Sequence, residues 1–581
     1  MKKAGWNFEA REIRICFLMT EETVSMPTIR TLLVDAAAKC PNREFVRWKA
    51  NHVWHNWTFR ELLKQTRIVS EMLSLLKLKP GDRVAVVMEN RAEWMSAYLG
   101  IACCGLTVVP VDYHLQAVEL SHILRDSETK AVFASAPVWT VLREIEADLR
   151  TLESIVMLDG IVTAQFKDNG VVHCDFSTLA VQVENRAKDA ESFFNRTGPD
   201  EETPASIIYT SGTTGRSKGA ILSHRNFCSQ IRALEFFQVK PEDNFLLVLP
   251  LYHAFAFSAC FVVPLAARCS VSMVENMRTI PENMRETQPT VLLAVPLLAE
   301  KMMNAIQRKL SKNLLAKTML SIGLGKAVGR KIIDNLGGRL RLLICGGAAS
   351  DIKMLKKWAR LGIATLEGYG LTETSPICAV NPQDRIRLGT VGPVLPGNEL
   401  RIADPNEEGV GEIEVRGPCV MKGYFRNENA TKEAFDNGWF RTGDLGKLDG
   451  QGYLMITGRK KNMIVNREGK NIYPEEVESY LSNCPHILES LVLGYHIEEE
   501  GKGEHVGCML VANMERFEEE RKAGSSSPLT DEEIRDICLA EAREAFRGIA
   551  TYKHPRKIVV KFEPFQKTQT LKIKRFLYSL D

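Results

Sequence analysis

The chain has 581 residues, 45% of them hydrophobic and 25% charged, with a formal net charge of +3. That length exceeds what a single hydrophobic core sustains, so two or more folding units are expected, and the near-balanced charge gives no basis for nucleic acid as a partner. The 14 cysteines lack the C-x-x-C pairs of zinc or thioredoxin sites, and Cys103 and Cys104 sit in an apolar run, the pattern of reduced core thiols in a cytoplasmic protein.

Residues 1–26 read as an N-terminal extension. The apolar stretch 13–19 is short and interrupted by Arg14 and Cys16, which suits neither a signal peptide nor a membrane span, and no later run reaches span length. From Thr31 the pattern alternates: a helix over 32–38, a strand over 83–88 after the turn Lys79-Pro80-Gly81-Asp82, a helix over 92–103 and a strand over 108–111. Repeated units of this kind predict parallel sheet covered by helices on both faces, with ligands at the carboxyl ends of the strands.

The segment 206–220, S-I-I-Y-T-S-G-T-T-G-R-S-K-G-A, carries the strongest chemical signal. Strand-like residues run into a loop where Thr210, Ser211, Thr213 and Thr214 surround Gly212 and Gly215, and Lys218 follows. Glycines let backbone N–H groups approach an anion, hydroxyls add donors, and the lysine is a mobile charge for outer phosphates. A Walker-type loop requires glycine directly before its lysine, where this chain has Ser217. A hydrolase elbow would require glycine in place of Tyr209 and Thr213.

Further along, 301–331 is helical and amphipathic and carries Lys301, Arg308, Lys309, Lys312, Lys317, Lys326, Arg330 and Lys331 without an acidic residue. Such a face could lie on an anionic membrane surface, but a solvated helix face is the favoured reading. A strand over 340–344 enters Cys345-Gly346-Gly347-Ala348, and another over 364–368 enters Tyr369-Gly370-Leu371-Thr372-Glu373-Thr374. Glu373, beside Thr372 and opposite a phosphate loop, has the chemistry of a Mg²⁺ ligand. Beyond Gly389 the texture is β-rich up to Gly443-Asp444. A smaller module follows Gly458-Arg459-Lys460-Lys461, with a helix over 473–483, strands over 491–494 and 506–511, a linker over 523–528 and a capping box of Thr530 with Glu533.

Together these segments resemble the adenylate-forming superfamily of acyl-CoA synthetases, peptide-synthetase adenylation domains and luciferases, from about Thr31 onward. The resemblance implies an α/β fold: a large domain over 27–459 of parallel β/α subdomains plus a β-rich subdomain, and a small mobile α+β lid over 460–581. It implies that the loop over 206–219 holds the ATP phosphates, that Gly346, Gly347 and Ala348 line the adenine pocket, and that Tyr369 stacks on the base. Thr372 and Glu373 become phosphate and magnesium ligands, Asp444 and Arg459 hold the ribose, His253 in Leu249-Pro250-Leu251-Tyr252-His253-Ala254 gates the acyl site, Lys461 is the hinge and Lys572 the essential C-terminal lysine. One departure is Leu571, where the family often carries glycine.

The implied reaction is ATP-dependent activation of a carboxylic acid as an acyl adenylate, followed by transfer to a thiol. The runs Asn335-Leu336-Gly337-Gly338-Arg339-Leu340-Arg341 and Gly469-Lys470-Asn471-Ile472-Tyr473-Pro474-Glu475-Glu476 resemble long-chain members, so a medium- or long-chain fatty acid is expected with CoA as acceptor. Acyl carrier protein as acceptor, release of the acyl adenylate, and a non-catalytic acyl or nucleotide binder that keeps the fold stand as alternatives. The last is disfavoured because Lys218, Glu373, Asp444, Arg459 and Lys572 are all retained.

Overall fold

The strands Arg83–Val87, Thr107–Val111, Ala131–Ala134 and Ser154–Met157 are buried almost throughout, and apolar strands of that kind require cover on both faces. The computed structural model, which describes residues 26–185, 192–210, 217–311, 325–466, 468, 470–482, 484–497, 504–524, 528–567 and 573–580, places them inside an eight-stranded sheet. Its order is Lys218–Ser223, Pro204–Thr210, Thr107–Val111, Arg83–Val87, Ala131–Ala134, Ser154–Met157, Val171–Asp175, Phe166–Asp168. The interior pairs are parallel, and only the two edge strands run antiparallel.

A second eight-stranded sheet has the order Ile377–Val380, Ala364–Gly370, Leu342–Cys345, Val291–Ala294, Asn244–Leu247, Ser270–Met273, Glu44–Ala50, Val53–Thr58, again parallel inside and antiparallel at its edges. Helix Ala92–Ala102 is buried at every position but Glu93, as a helix apolar on nearly all sides must be. It carries Trp94 and Tyr98 onto Phe257, with Tyr98 and Phe257 ring centroids 4.1 Å apart. Phe257 belongs to the second sheet's helical layer, so the sheets share one core and their strand ends face a common region.

A third, five-stranded antiparallel sheet contains Glu399–Ala403, Gly411–Arg416, Trp439–Leu448, Phe435–Asp436 and Leu454–Arg459. The expected parallel β/α part is found as two parallel-rich sheets, and the expected β-rich part accompanies them. Beyond it come a two-stranded sheet of Ile464–Val465 with Asn471–Ile472, and a three-stranded sheet of Ile487–Tyr495, His505–Ala512 and Lys557–Lys561. Helices Pro474–Leu481 and Asp531–Phe546 share the hydrophobic cluster of this last sheet. Thr530 and Glu533 form the expected capping box.

Some expectations need correction. The strand that begins at Ala364 runs on through Tyr369 to Gly370 instead of stopping at Gly368, because Gly368 to Gly370 pair with Ile377–Val380. Helix Met514–Gly524 occupies the start of the stretch read as a linker over 523–528. The basic segment 301–331 is helical over Pro296–Ser311 and Gly325–Asn335, with 312–324 outside the described residues. Its Arg308 faces Glu515 and Glu519 at 3.5 and 3.2 Å. Among the described residues no helix is long and apolar enough to cross a membrane, and the cysteines are free thiols.

Candidate active site

The candidate phosphate loop is held at its base by a ladder. Thr210 ends one strand, Lys218 begins the next, and the two are direct cross-strand partners, followed by Tyr209 with Gly219. Ser211, Gly212, Thr213, Thr214 and Gly215 lie outside the described residues. Glycine at 219 follows from close approach: a Cβ there would sit 2.5 Å from Ile207 Cγ2 and 3.1 Å from the Tyr209 ring. Because the strand Pro204–Thr210 runs parallel to Thr107–Val111, the loop leaves at the carboxyl end, as expected.

Glu373 reaches the same place from the other sheet. It lies on the short 3-10 turn Thr372–Thr374 that follows strand Ala364–Gly370. Thr210 Oγ1 donates to Glu373 Oε1 at 3.5 Å, and Tyr424 Oη donates to the same oxygen at 2.9 Å. The Lys218 Nζ stands 5.4 Å from the centroid of the Tyr424 ring. Two sheets thus bring a hydroxyl, a carboxylate and an ammonium together at the mouth of the loop. Thr372 is half-buried beside them.

A second group lies on the five-stranded sheet. Asp444 and Arg459 are cross-strand partners, and Arg459 Nε sits 2.9 Å from Asp444 Oδ1. Tyr369 Oη donates to Asp444 Oδ2 at 2.8 Å. Burial, followed by the charge of Asp444, pushes the Tyr369 phenol far above its ordinary range, so it stays a donor. Asp444 is only 4% exposed. A buried carboxylate held from both sides by a guanidinium and a phenol has a fixed direction, which suits recognition of a diol.

Gly346, Gly347 and Ala348 follow strand Leu342–Cys345. A Cβ on Gly346 would meet the Phe255 ring at 2.9 Å, and Gly347 has φ of +85°, which favours glycine. Phe255 sits on the short helix Ala254–Phe257, whose N-cap is His253. His253 packs on Tyr252 with centroids 4.6 Å apart. The loop that carries it is tied to the first sheet by Asn90, whose Nδ2 donates to Leu249 O at 2.9 Å and whose Oδ1 accepts from Leu251 N at 2.8 Å. The candidate gate and the glycine motif are therefore neighbours, joined through Phe255.

Lys461 lies in the 3-10 turn Lys460–Asn462, directly after Arg459. The residues on either side of it are anchored to different units: Lys460 Nζ to Glu412 Oε2 at 2.8 Å, on the five-stranded sheet, and Asn462 Nδ2 to Glu475 Oε1 at 2.7 Å, on helix Pro474–Leu481. Lys572 lies outside the described residues.

Among the described residues no group of three or more His, Cys, Asp or Glu could form a metal cage. Magnesium is commonly held by one or two carboxylates plus substrate phosphates and water, so the single carboxylate of Glu373 beside Thr210 and Lys218 fits that ion. A cavity of about 350 Å³ lined by Pro80, Arg83, Thr107, Pro204, Ile207 and Phe425 opens at the amino ends of the strands, away from this chemistry. Tyr424 and Asn90 were not foreseen from sequence. The local signal for Tyr424 is an aromatic pair, Tyr424-Phe425, after Gly423, and Asn90 carries none.

The model of the family described as AMP-binding enzyme matches residues 33–425. The chain is 30% identical over 566 residues to a protein named long-chain-fatty-acid–CoA ligase FadD15 from Mycobacterium bovis, covering 90% of each. It is 29% identical over 512 residues to a 2-succinylbenzoate–CoA ligase from Bacillus licheniformis, covering 86% of this chain and 90% of the other. In structure it is similar to ATP-bound MatB from Rhodopseudomonas palustris, with a TM-score of 0.74, 26% identity and coverage of 95% and 98%.

Proposed function

The chain belongs to the AMP-binding enzyme family, and on that premise we propose that it activates a medium- or long-chain fatty acid as an acyl adenylate and transfers the acyl group to CoA. The observation that carries the adenylation step is the meeting of Thr210 and Glu373 from two different sheets, beside Lys218 and Tyr424. The fatty-acid reading is favoured over other carboxylic acids by likeness to a long-chain ligase over 90% of both chains.

A carboxylate repels a thiolate and its oxygen is a poor leaving group, so the acid must first be activated. In the first half-reaction a carboxylate oxygen attacks the α-phosphorus of ATP, the bond from that phosphorus to the bridging oxygen breaks, and pyrophosphate departs. Lys218 and the loop over 211–215 hold the departing phosphates. Gly346, Gly347, Ala348, Tyr369 and Gly370 border the base, while Asp444 and Arg459 fix the ribose. Lys572 neutralises the approaching anions. Each such preorganised charge contributes about 3–4 kcal/mol in the transition state. Glu373, with Thr372 beside it, would hold magnesium, which supplies further positive charge against the phosphates. In the second half-reaction the CoA sulfur attacks the carbonyl carbon, the bond to AMP breaks, and the thiol proton passes to solvent.

We take 27–459 as the large domain and 460–581 as the lid, with 1–26 preceding them. Lys461, between anchors on two units, is where the lid turns after adenylation. His253 and Phe255 border the acyl entrance. Free thiols throughout the described cysteines suit a reducing, cytoplasmic setting.

The test is pyrophosphate release against acids of increasing chain length, with and without CoA, beside 2-succinylbenzoate and malonate as competitors. The expected outcome is release that depends on C8 to C18 acids and acyl-CoA only when CoA is present. Preference for either dicarboxylate overturns the fatty-acid reading, and release without acyl-CoA in the presence of CoA points to another acceptor.

A further inference from the structure

The segment after the β-rich strand Gly411–Arg416 returns to the first sheet and runs along its outer edge. Ile221 N donates to Gly423 O at 2.9 Å, Lys422 N to Ile221 O at 3.0 Å and Phe425 N to Gly219 O at 2.7 Å, with an antiparallel bridge between Ala220 and Tyr424. This strip covers the strand that Lys218 begins, so the exit of the candidate phosphate loop is not a free edge.

The same strip also reaches Glu373, twice. Met421 N donates to the Glu373 backbone oxygen at 2.8 Å, and Tyr424 Oη donates to Glu373 Oε1 at 2.9 Å. Two features hold Tyr424 itself. Its backbone N donates to Thr431 Oγ1 at 2.9 Å, and Gly423 has φ of +141° with Thr431 so close that a Cβ would stand 2.8 Å from Thr431 Cγ2. A side chain at 423 is excluded by both space and backbone. The phenol is therefore delivered to one place by a constrained backbone.

The geometry points to Tyr424 as a positioning residue for the phosphate end of ATP, its hydroxyl directing the Glu373 carboxylate and its ring seating the Lys218 ammonium. The two halves of the side chain do different work. The hydroxyl occupies one oxygen of Glu373, which leaves the other oxygen for a cation held by the phosphates. The ring lies within the roughly 6 Å over which an ammonium is attracted to an aromatic face, and so restrains a flexible lysine without neutralising it. An acid at 424 would pair with Lys218 and repel phosphate; an aliphatic residue would restrain neither group.

This inference rests on the adenylating role given to Glu373 and Lys218 above, but not on the identity of the acid. Its test therefore omits acid and CoA and measures equilibrium binding of MgATP and of AMP to the native chain, Tyr424→Phe, Tyr424→Leu, Glu373→Gln and the double variant Tyr424→Phe/Glu373→Gln. AMP lacks the outer phosphates and serves as the control for folding and for the base and ribose contacts. Tyr424→Phe is expected to weaken MgATP by about tenfold, the scale of one hydrogen bond to a charged group, to raise the Mg²⁺ concentration at half-saturation, and to leave AMP unchanged. Tyr424→Leu is expected to weaken MgATP further, through Lys218. In the Glu373→Gln background the Phe substitution should add little, because the hydroxyl acts through that carboxylate.

Native-like MgATP binding by Tyr424→Phe overturns the assignment. So does an equal loss of MgATP and AMP, which would mark a general structural role, or a full additional loss in the double variant. A native chain that binds MgATP but turns over no fatty acid would sink the substrate reading and leave this one standing; a native chain that binds no MgATP would sink both.

Discussion

Replacing Asp444 with asparagine keeps the shape of the side chain and removes its charge at the point where two strands, a phenol and a guanidinium converge. Asp444 is 4% exposed and accepts from Tyr369 at 2.8 Å. Its contact with Arg459 at 2.9 Å is more open, since 36% of the arginine side chain is exposed. Hydrogen bonds to charged groups contribute about 1.5–3 kcal/mol, and solvent screening on the arginine side reduces its share. The expected loss of stability is therefore about 1–2 kcal/mol, read as a lower urea midpoint at unchanged slope. The effect on nucleotide should be larger, because two ribose hydroxyls lose a charged acceptor: ATP affinity should fall by about ten- to a hundredfold. The decisive comparison is ATP against 2′,3′-dideoxy-ATP. The native chain should prefer ATP, and in Asp444→Asn that preference should shrink by about tenfold. A variant that keeps the native preference would refute the ribose assignment, whatever its overall affinity.

Lys572→Ala should abolish pyrophosphate release from acid and ATP yet spare thioester formation from added acyl adenylate; normal pyrophosphate release would rule out its role. Lys461→Pro fixes φ near −65° and should keep adenylation within about tenfold, or 1.4 kcal/mol, while losing far more of the CoA-dependent step; equal losses in single-turnover assays would sink the hinge assignment. His486 gives a pH prediction. Burial opposes its protonation, but hydrogen bonds and charge from Glu520 and Glu541, at 2.9 and 2.7 Å, outweigh that and raise its pKa. A raised histidine stabilises fully below its unfolded value of about 6.5 and loses that contribution as pH rises through the higher folded value. Urea melts should therefore show stability falling above about pH 6.5 in the native chain, with a shallower fall in His486→Gln; parallel profiles would refute the coupling.

What could be read from sequence was what is local. Thr210, Gly219 and Lys218 lie within ten residues of one another, and the strand-to-loop transition that joins them is written in their order. Glu373 was recognisable beside Thr372 for the same reason. Its partner Tyr424 was not, because their contact depends on the 421–425 strip finding the edge at 219–221, a pairing of segments some two hundred residues apart. Asn90 and the His253 loop illustrate the same limit, since one amide bridges two sheets. Helix Met514–Gly524 escaped for a different reason. Its sequence, MERFEEERKAG, has little apolar periodicity, with Phe517 its buried anchor. Ion pairs such as Arg516 with Glu520 and Lys522 with Glu518 support it instead, a pattern that gives no amphipathic signal.

The closed ladder at the base of the phosphate loop has a consequence for any attempt to edit this chain. With Thr210 opposite Lys218 and the pairing in step as far as Ser206 with Leu222, a one-residue change in loop length that reached the returning strand would slip its register. In a strand such a slip turns every side chain to the opposite face. Lys218 would then point away from Tyr424, and Ile221 would leave its place in the apolar layer. Substitutions inside the loop change its chemistry only where they fall, whereas a slip of the returning strand would be felt along the regular ladder as far as Leu222. Libraries built on this site should therefore hold the count fixed and vary letters away from the glycines and hydroxyls assigned to phosphate.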